Sequence, residues 1–325
     1  MRLVSWLVTP LSWLWFSDED SVAEYAPFGD SGVESSYFDR FSNEVVVEFT
    51  LSGSRDSRVI SETALTLLSD VWVLSPDRAL IRLDRAQLED FQRLLPSPLP
   101  VTTVIGDIPR AVVTSYPLTR KSKDPRREFL PFAETQALAN MSIGSSWEGL
   151  PIGARLTSDT DLLVVCGLQG REWASVALCL QLMEEHPELS IVPVANPDGY
   201  IYSWETDRLW VKNRQPTGIN LCPGHDIATA AFDIEPPSSV PPCSDDWAGR
   251  GRQTPLEARA IRDVAARFSR LVAIQGLSGS SNTQVSLRGN WTVLSVPDFG
   301  MGYLLPKRHI DANYQEIMAV LQKLL

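Results

Sequence analysis

The sequence predicts an α/β domain preceded by a small α+β unit, and three observations predict it. From residue 139 onward, short apolar runs alternate with stretches of helical periodicity, the pattern of a sheet covered by helices. Residues 43–110 read as strand, helix, strand, strand, helix, strand, an order that closes into an antiparallel sheet with both helices on one face. Between the two lies a basic segment with several prolines, 111–138, which reads as a linker.

The elements follow in order. Residues 1–42 form a signal-like segment and a polar lead-in. Met1-Arg2 precedes an apolar stretch from Leu3 to Phe16, and acidic residues follow. That stretch is too short for a membrane span. It reads either as a secretion signal or as a mis-called start or tail. Glu44 to Leu51 is a strand rich in β-branched residues. Ile60, Ala64, Leu67 and Leu68 recur at helical spacing. Val71–Leu74 and Ala79–Leu83 are strands joined by a Ser-Pro-Asp turn. Leu88, Phe91, Leu94 and Leu95 mark a second helix, and Val101–Ile105 a closing strand. Beyond the linker, Leu162–Cys166 is a continuous apolar run, as in a strand buried on both faces. Trp173–Met183 reads as helix, Leu189–Val194 as strand, Pro255–Phe268 as helix, Leu271–Ile274 as strand and Tyr314–Leu325 as helix.

Composition narrows the function. The chain has 29 Lys+Arg against 40 Asp+Glu, a formal net charge of -11. Such a surface repels phosphate backbones, so no nucleic-acid partner is expected. The dense basic run Arg120–Arg127 reads as a solvated linker or a protease-accessible hinge. Cys166 and Cys179 lie in apolar runs and read as buried free thiols. Cys222 and Cys243 sit in Pro-rich, loop-like surroundings where pairing is open to them. A disulfide there implies an oxidising compartment. The sequons at Asn140 and Asn290 suit a secreted glycoprotein. His186, His225 and His309 read as separate surface or loop histidines, since nothing in their spacing makes a cluster.

The most specific words begin at Gly167-Leu168-Gln169-Gly170-Arg171-Glu172-Trp173. Ile143–Gly149, Asn196-Pro197-Asp198-Gly199-Tyr200, Arg208–Lys212, Cys222–Asp226, Pro242-Cys243-Ser244, Leu277–Ser280 and Gly302–Pro306 accompany them in order. This set resembles the zinc metallocarboxypeptidases of the A type, and the wording Trp204–Trp210 is most similar to the fungal inactive carboxypeptidase-like proteins linked to cell-wall organisation. The resemblance implies a carboxypeptidase-like mixed sheet with flanking helices, shortened between Glu172 and Asn196 and between Ser281 and Asn290. It also implies that the N-terminal unit is a propeptide-like domain and that Cys222 and Cys243 form a disulfide.

The same resemblance places three zinc ligands. In the family they are His, Glu and His. Here the positions fall at Gln169, Glu172 and Leu277. An amide is a poor zinc ligand beside an imidazole, and Leu277 is none at all. Glu172 is therefore expected as a vestigial carboxylate, no cofactor is expected and no residue is assigned as catalytic. The substrate-binding positions fall at Arg171, Val211, Ala228 and Thr229, of which only Arg171 keeps a guanidinium. For Arg171 and Arg208, a salt-bridged role weighs at least as much as substrate contact. The family's general-base glutamate falls at Leu294 or Ser295, neither of which takes a proton from water. The expected protein is a secreted or vacuolar pseudoenzyme that binds a peptide or cell-wall component without turnover. The competing readings are the non-functional product of a deleted or mis-spliced gene and an active enzyme with a rebuilt site.

Overall fold

A computed structural model describes residues 40–116, 124–219, 221–234, 240–249 and 254–324. The signal-like stretch Leu3–Phe16 and the basic residues Arg120, Lys121 and Lys123 lie outside the described residues.

The N-terminal unit begins with β1 (Glu44–Thr50), α1 (Ser54–Leu67), β2 (Asp70–Leu74), β3 (Arg78–Asp84), α2 (Gln87–Leu94) and β4 (Val101–Ile105). Its sheet has the order β2-β3-β1-β4, antiparallel throughout. Strand alternation divides the two faces. Val45, Val47 and Phe49 of β1 and Ala79, Ile81 and Leu83 of β3 pack under the helices with Ile60 and Phe91. Val46 and Leu80 point the other way and join the core of the main domain.

Helix α3 (Ile108–Ser115) occupies the head of the expected linker. Its start follows from local chemistry. Asp107 accepts the Arg110 N–H and Pro109 falls in the first turn, where its missing N–H costs nothing. The short α4 (Phe132–Thr135) leads into the hairpin of β5 (Met141–Ser145) and β6 (Pro151–Ala154).

The main sheet contains β7 (Leu162–Val165), β8 (Ser190–Val192), β9 (Arg270–Leu277), β10 (Gln284–Arg288) and β11 (Trp291–Val296), in the order β10-β11-β9-β7-β8. It is mixed: β7, β8, β9 and β11 run parallel, while β10 turns back as an antiparallel edge. Leu162 and Val164 face one core, shared with α5 (Trp173–Glu185) and α9 (Ile310–Leu321). Leu163 and Val165 face the other, shared with α7 (Ile227–Ala231) and α8 (Leu256–Ala265). Helix α6 (Pro197–Glu205) follows β8.

Two disulfides are present. Cys222 pairs with Cys243, as the resemblance implied. Cys166 pairs with Cys179, which corrects the expectation of free thiols. The reason is packing: Cys166 follows β7, Cys179 lies on α5, and the two share one core with Cα atoms 6.2 Å apart, within disulfide range. His225 lies in a loop, as expected, and is buried there. Among the described residues, no helix is long and apolar enough to cross a membrane.

Candidate functional site

The turn after β7 positions the central residues. Gly167 has φ 60°, and a Cβ there would lie 2.9 Å from Val176 Cγ2 and 3.1 Å from Pro193 O, so glycine is required. Asn196 stitches the turn to its neighbours. Its Oδ1 accepts the Gly199 N–H at 3.0 Å, capping α6, while Nδ2 donates to Leu168 O and Val211 O at 3.3 and 3.4 Å. Asp198 accepts from Ser146 Oγ and from the Glu148 N–H, and Tyr200 donates to Leu130 O at 2.6 Å. The Asn-Pro-Asp-Gly-Tyr word is therefore scaffolding around the site.

Glu172 is buried, and both carboxylate oxygens are engaged by backbone. Oε1 accepts the Gly276 N–H at 2.8 Å and Oε2 accepts the Gln169 N–H at 3.1 Å. It thus clamps the β7–α5 turn to the end of β9. Burial pushes its pKa up to about 7, against the pull of those two N–H groups. Gln169 is also buried, and its side-chain oxygen has no partner. Leu277 ends β9, opposite Val296, half-buried against the α5 core.

Arg171 is turned to a structural partner. Its Nη1 donates to Asp70 Oδ2 at 2.6 Å, both side chains being buried, and its guanidinium lies 3.9 Å from the centre of the Tyr303 ring. Arg82 approaches the same Asp70 oxygen at 3.3 Å, and Trp72 Nε1 donates to it at 2.7 Å. Burial raises the Asp70 carboxyl, but Arg171 and Arg82 outweigh it and hold the group below the usual carboxylate range. Arg208 is likewise occupied: it donates to Ser115 Oγ, Arg171 O and Tyr303 O and stacks over Trp173.

Gln169, Arg171, Val211, Thr229 and Leu277 line one cleft of about 1260 Å³ between the N-terminal unit and the main sheet. Glu172 and Ala228 are not on its wall; Glu172 faces a cavity of about 10 Å³ with Arg171, Leu277 and Tyr303. Ala228 and Thr229 open α7, where their N–H groups donate to Asp226 at 3.2 and 3.0 Å. Leu294 is buried in the core and Ser295 lies in the cleft wall. Sequence reasoning missed Asp70, Trp72, Asp245 and Asp246, which also line the cleft. No local pattern in the sequence marks Asp70, which heads β2 in the structure.

The zinc carboxypeptidase family model matches residues 133–297, half of the chain. The chain belongs to the zinc carboxypeptidase family. The inactive metallocarboxypeptidase ECM14 of Uncinocarpus reesii is 31% identical over 294 residues, covering 70% of this chain and 50% of that protein. The protein of the same name from Ajellomyces capsulatus is 29% identical over 300 residues, covering 74% and 50%. The chain thus spans about half the length of the curated relatives it matches. Among solved structures, carboxypeptidase A from Helicoverpa armigera superposes with TM-score 0.71 at 17% identity, covering 86% of this chain and 96% of that one. Thrombin activatable fibrinolysis inhibitor gives 0.67 at 17%, covering 86% and 98%. At such identity these structures show the family fold, a mixed sheet with flanking helices, and the small antiparallel N-terminal sheet is consistent with it.

Proposed function

We propose that this chain is a catalytically inactive carboxypeptidase homologue whose cleft binds a peptide or cell-wall component without turnover. The observation that carries this reading is the donor set at the three former ligand positions. Glu172 is the one carboxylate among them, and each of its oxygens already accepts a backbone N–H. The other two positions do not fit zinc. Leu277 carries no lone pair and Gln169 offers one amide oxygen, against the three strong ligands a hydrolytic zinc requires. Among the described residues, no group of three or more His, Cys, Asp or Glu side chains is placed to hold a metal. The curated relatives bear the name inactive metallocarboxypeptidase, which supports the same reading.

Secretion or delivery to the vacuole belongs to the same proposal. The two disulfides favour an oxidising compartment. The sequon residues Asn140 and Asn290 are at least partly exposed, where a glycan would be accommodated. A paired assay tests the function. A peptide with a free C-terminus and its amidated twin are incubated with the zinc-supplemented protein and followed by mass spectrometry. The reading predicts that both stay intact; release of the terminal residue from the free peptide alone contradicts it.

A further inference from the structure

The two edges of the main sheet are finished differently. At one edge β8 is covered. Arg155 forms an antiparallel bridge to Ile191: the Arg155 N–H donates to Ile191 O at 2.9 Å, and the Ile191 N–H donates to Arg155 O at 2.8 Å. At the other edge β10 is bare. All five of its residues are exposed, Val285 at 53% and Leu287 at 78%. The β10–β11 hairpin fixes which backbone groups face outward. Arg288 and Trp291 flank the two-residue turn Gly289-Asn290, where Gly289 has φ 58°. In such a hairpin the flanking pair exchanges both hydrogen bonds, and bonded pairs alternate from there. Gln284, Ser286 and Arg288 therefore bond to β11, while the N–H and C=O groups of Val285 and Leu287 point away from it. Those four groups have no hydrogen-bond partner among the described residues. The strand also carries none of the features that usually block an open edge: it has no proline, no lysine and no bulge in its register with β11.

The geometry points to β10 as the contact of a two-fold dimer, in which two copies of this chain pair antiparallel about Ser286. This register uses the groups that face outward. Val285 of one copy meets Leu287 of the other in a hydrogen-bonded pair, and the same pair recurs across the axis, so the four outward groups of each copy are all satisfied. The side chains are self-complementary as well. Residues directly opposite each other share a face, so Val285 and Leu287 of the two copies form one apolar patch. Leu294, opposite Val285 on β11, lies on that face, so the patch continues the core under α5 and α9. Arg288 falls opposite the neutral Gln284 of the second copy, and no like charges meet. The pairing joins two five-stranded sheets into one continuous sheet, and it closes on itself because each copy engages its β10 edge. The sequon residue Asn290 lies beyond the paired stretch, at the hairpin tip. The inference goes beyond the proposed function and holds whether or not the cleft binds a peptide.

A contact centred on five residues per copy is small, so a dissociation constant on the order of 10–100 µM is expected. Sedimentation of the full chain should move from 36.1 kDa toward twice that mass as concentration rises through this range. Cysteine cross-linking tests the register. All four native cysteines are in disulfides, so an added thiol stands alone. Ser286→Cys places the thiols of two copies opposite each other in a non-hydrogen-bonded pair, within disulfide reach, and mild oxidation should yield a covalent dimer. Gln284→Cys places them about 13 Å apart along the strands and should not cross-link. Val285→Lys combined with Leu287→Lys sets like charges opposite each other and should raise the dissociation constant at least about tenfold. Both positions are exposed in the single chain, so its fold should persist. A chain that stays monomeric at about 200 µM would overturn the inference. So would equal cross-linking of Ser286→Cys and Gln284→Cys, or a dimer that survives the two lysine substitutions.

Discussion

At the scale of single residues, Glu172 sets a testable pH dependence. Its carboxyl is raised to about 7 in the folded protein by burial, above the ordinary carboxylate range of the unfolded chain. The folded state therefore binds more protons than the unfolded one between those two values, and stability falls as pH rises through that window. Asp245, raised to about 6 by burial, acts in the same direction. Asp70 acts in the opposite sense and lower down: its depressed carboxyl contributes stability that is lost as pH falls through its folded value. Urea unfolding across pH 4–8 should show a decline toward neutrality, and Glu172→Gln should flatten it. An unchanged slope in that variant would remove Glu172 as its source. Asp70→Asn should cost about 3–5 kcal/mol at neutral pH, because it leaves Arg171 buried and unpaired. A loss under about 1 kcal/mol would mean that the pair is hydrated.

Residues also show what is legible in the sequence. Gln169 and Leu277 can be matched to the family's ligand positions because the words around them survive. Those words survive for structural reasons: Asn196 caps a helix and ties two loops, Asp198 holds the Ser146 turn, and Gly167 fits where no side chain can. Arg171 is readable as a salt-bridged residue, but its partner is not. Asp70 lies 101 positions away, and no local pattern announces a contact between two separate sheets.

At the scale of elements, periodicity locates most strands and helices, and it misleads where other chemistry decides. Helix α3 lies in a stretch whose prolines and basic charge suggest a linker, yet Asp107 followed by Ile-Pro is a helix start, with a side-chain cap and a proline where no N–H is needed. The pairing of Cys166 with Cys179 is illegible because both stretches look like buried core, and only the docking of α5 on the sheet brings the sulfurs together. Replacing both cysteines by alanine should cost about 2–4 kcal/mol in chemical unfolding, with secondary structure retained. Gly302→Ala should cost at least about 2 kcal/mol, since alanine at a positive φ is strained and its methyl meets Trp72. A neutral outcome at Gly302 would show that Trp72 does not seat there.

At the scale of the whole molecule, the shared core predicts one cooperative unit. Phe41 and Leu80 melt with Trp173 because they belong to one buried cluster. Calorimetry should record a single transition with matching calorimetric and van't Hoff enthalpies. Two resolved transitions would indicate units that fold independently. A broad, non-cooperative melt would favour the defective gene product over a binding protein.

On the reading proposed here, Gln169, Glu172 and Leu277 together lack the donors to seat a divalent ion. Metal analysis of the protein after zinc loading and gel filtration checks this. Zinc is expected far below one atom per chain, with no change on Glu172→Ala. One tightly held zinc per chain, lost in Glu172→Ala while the fold persists, would overturn the reading.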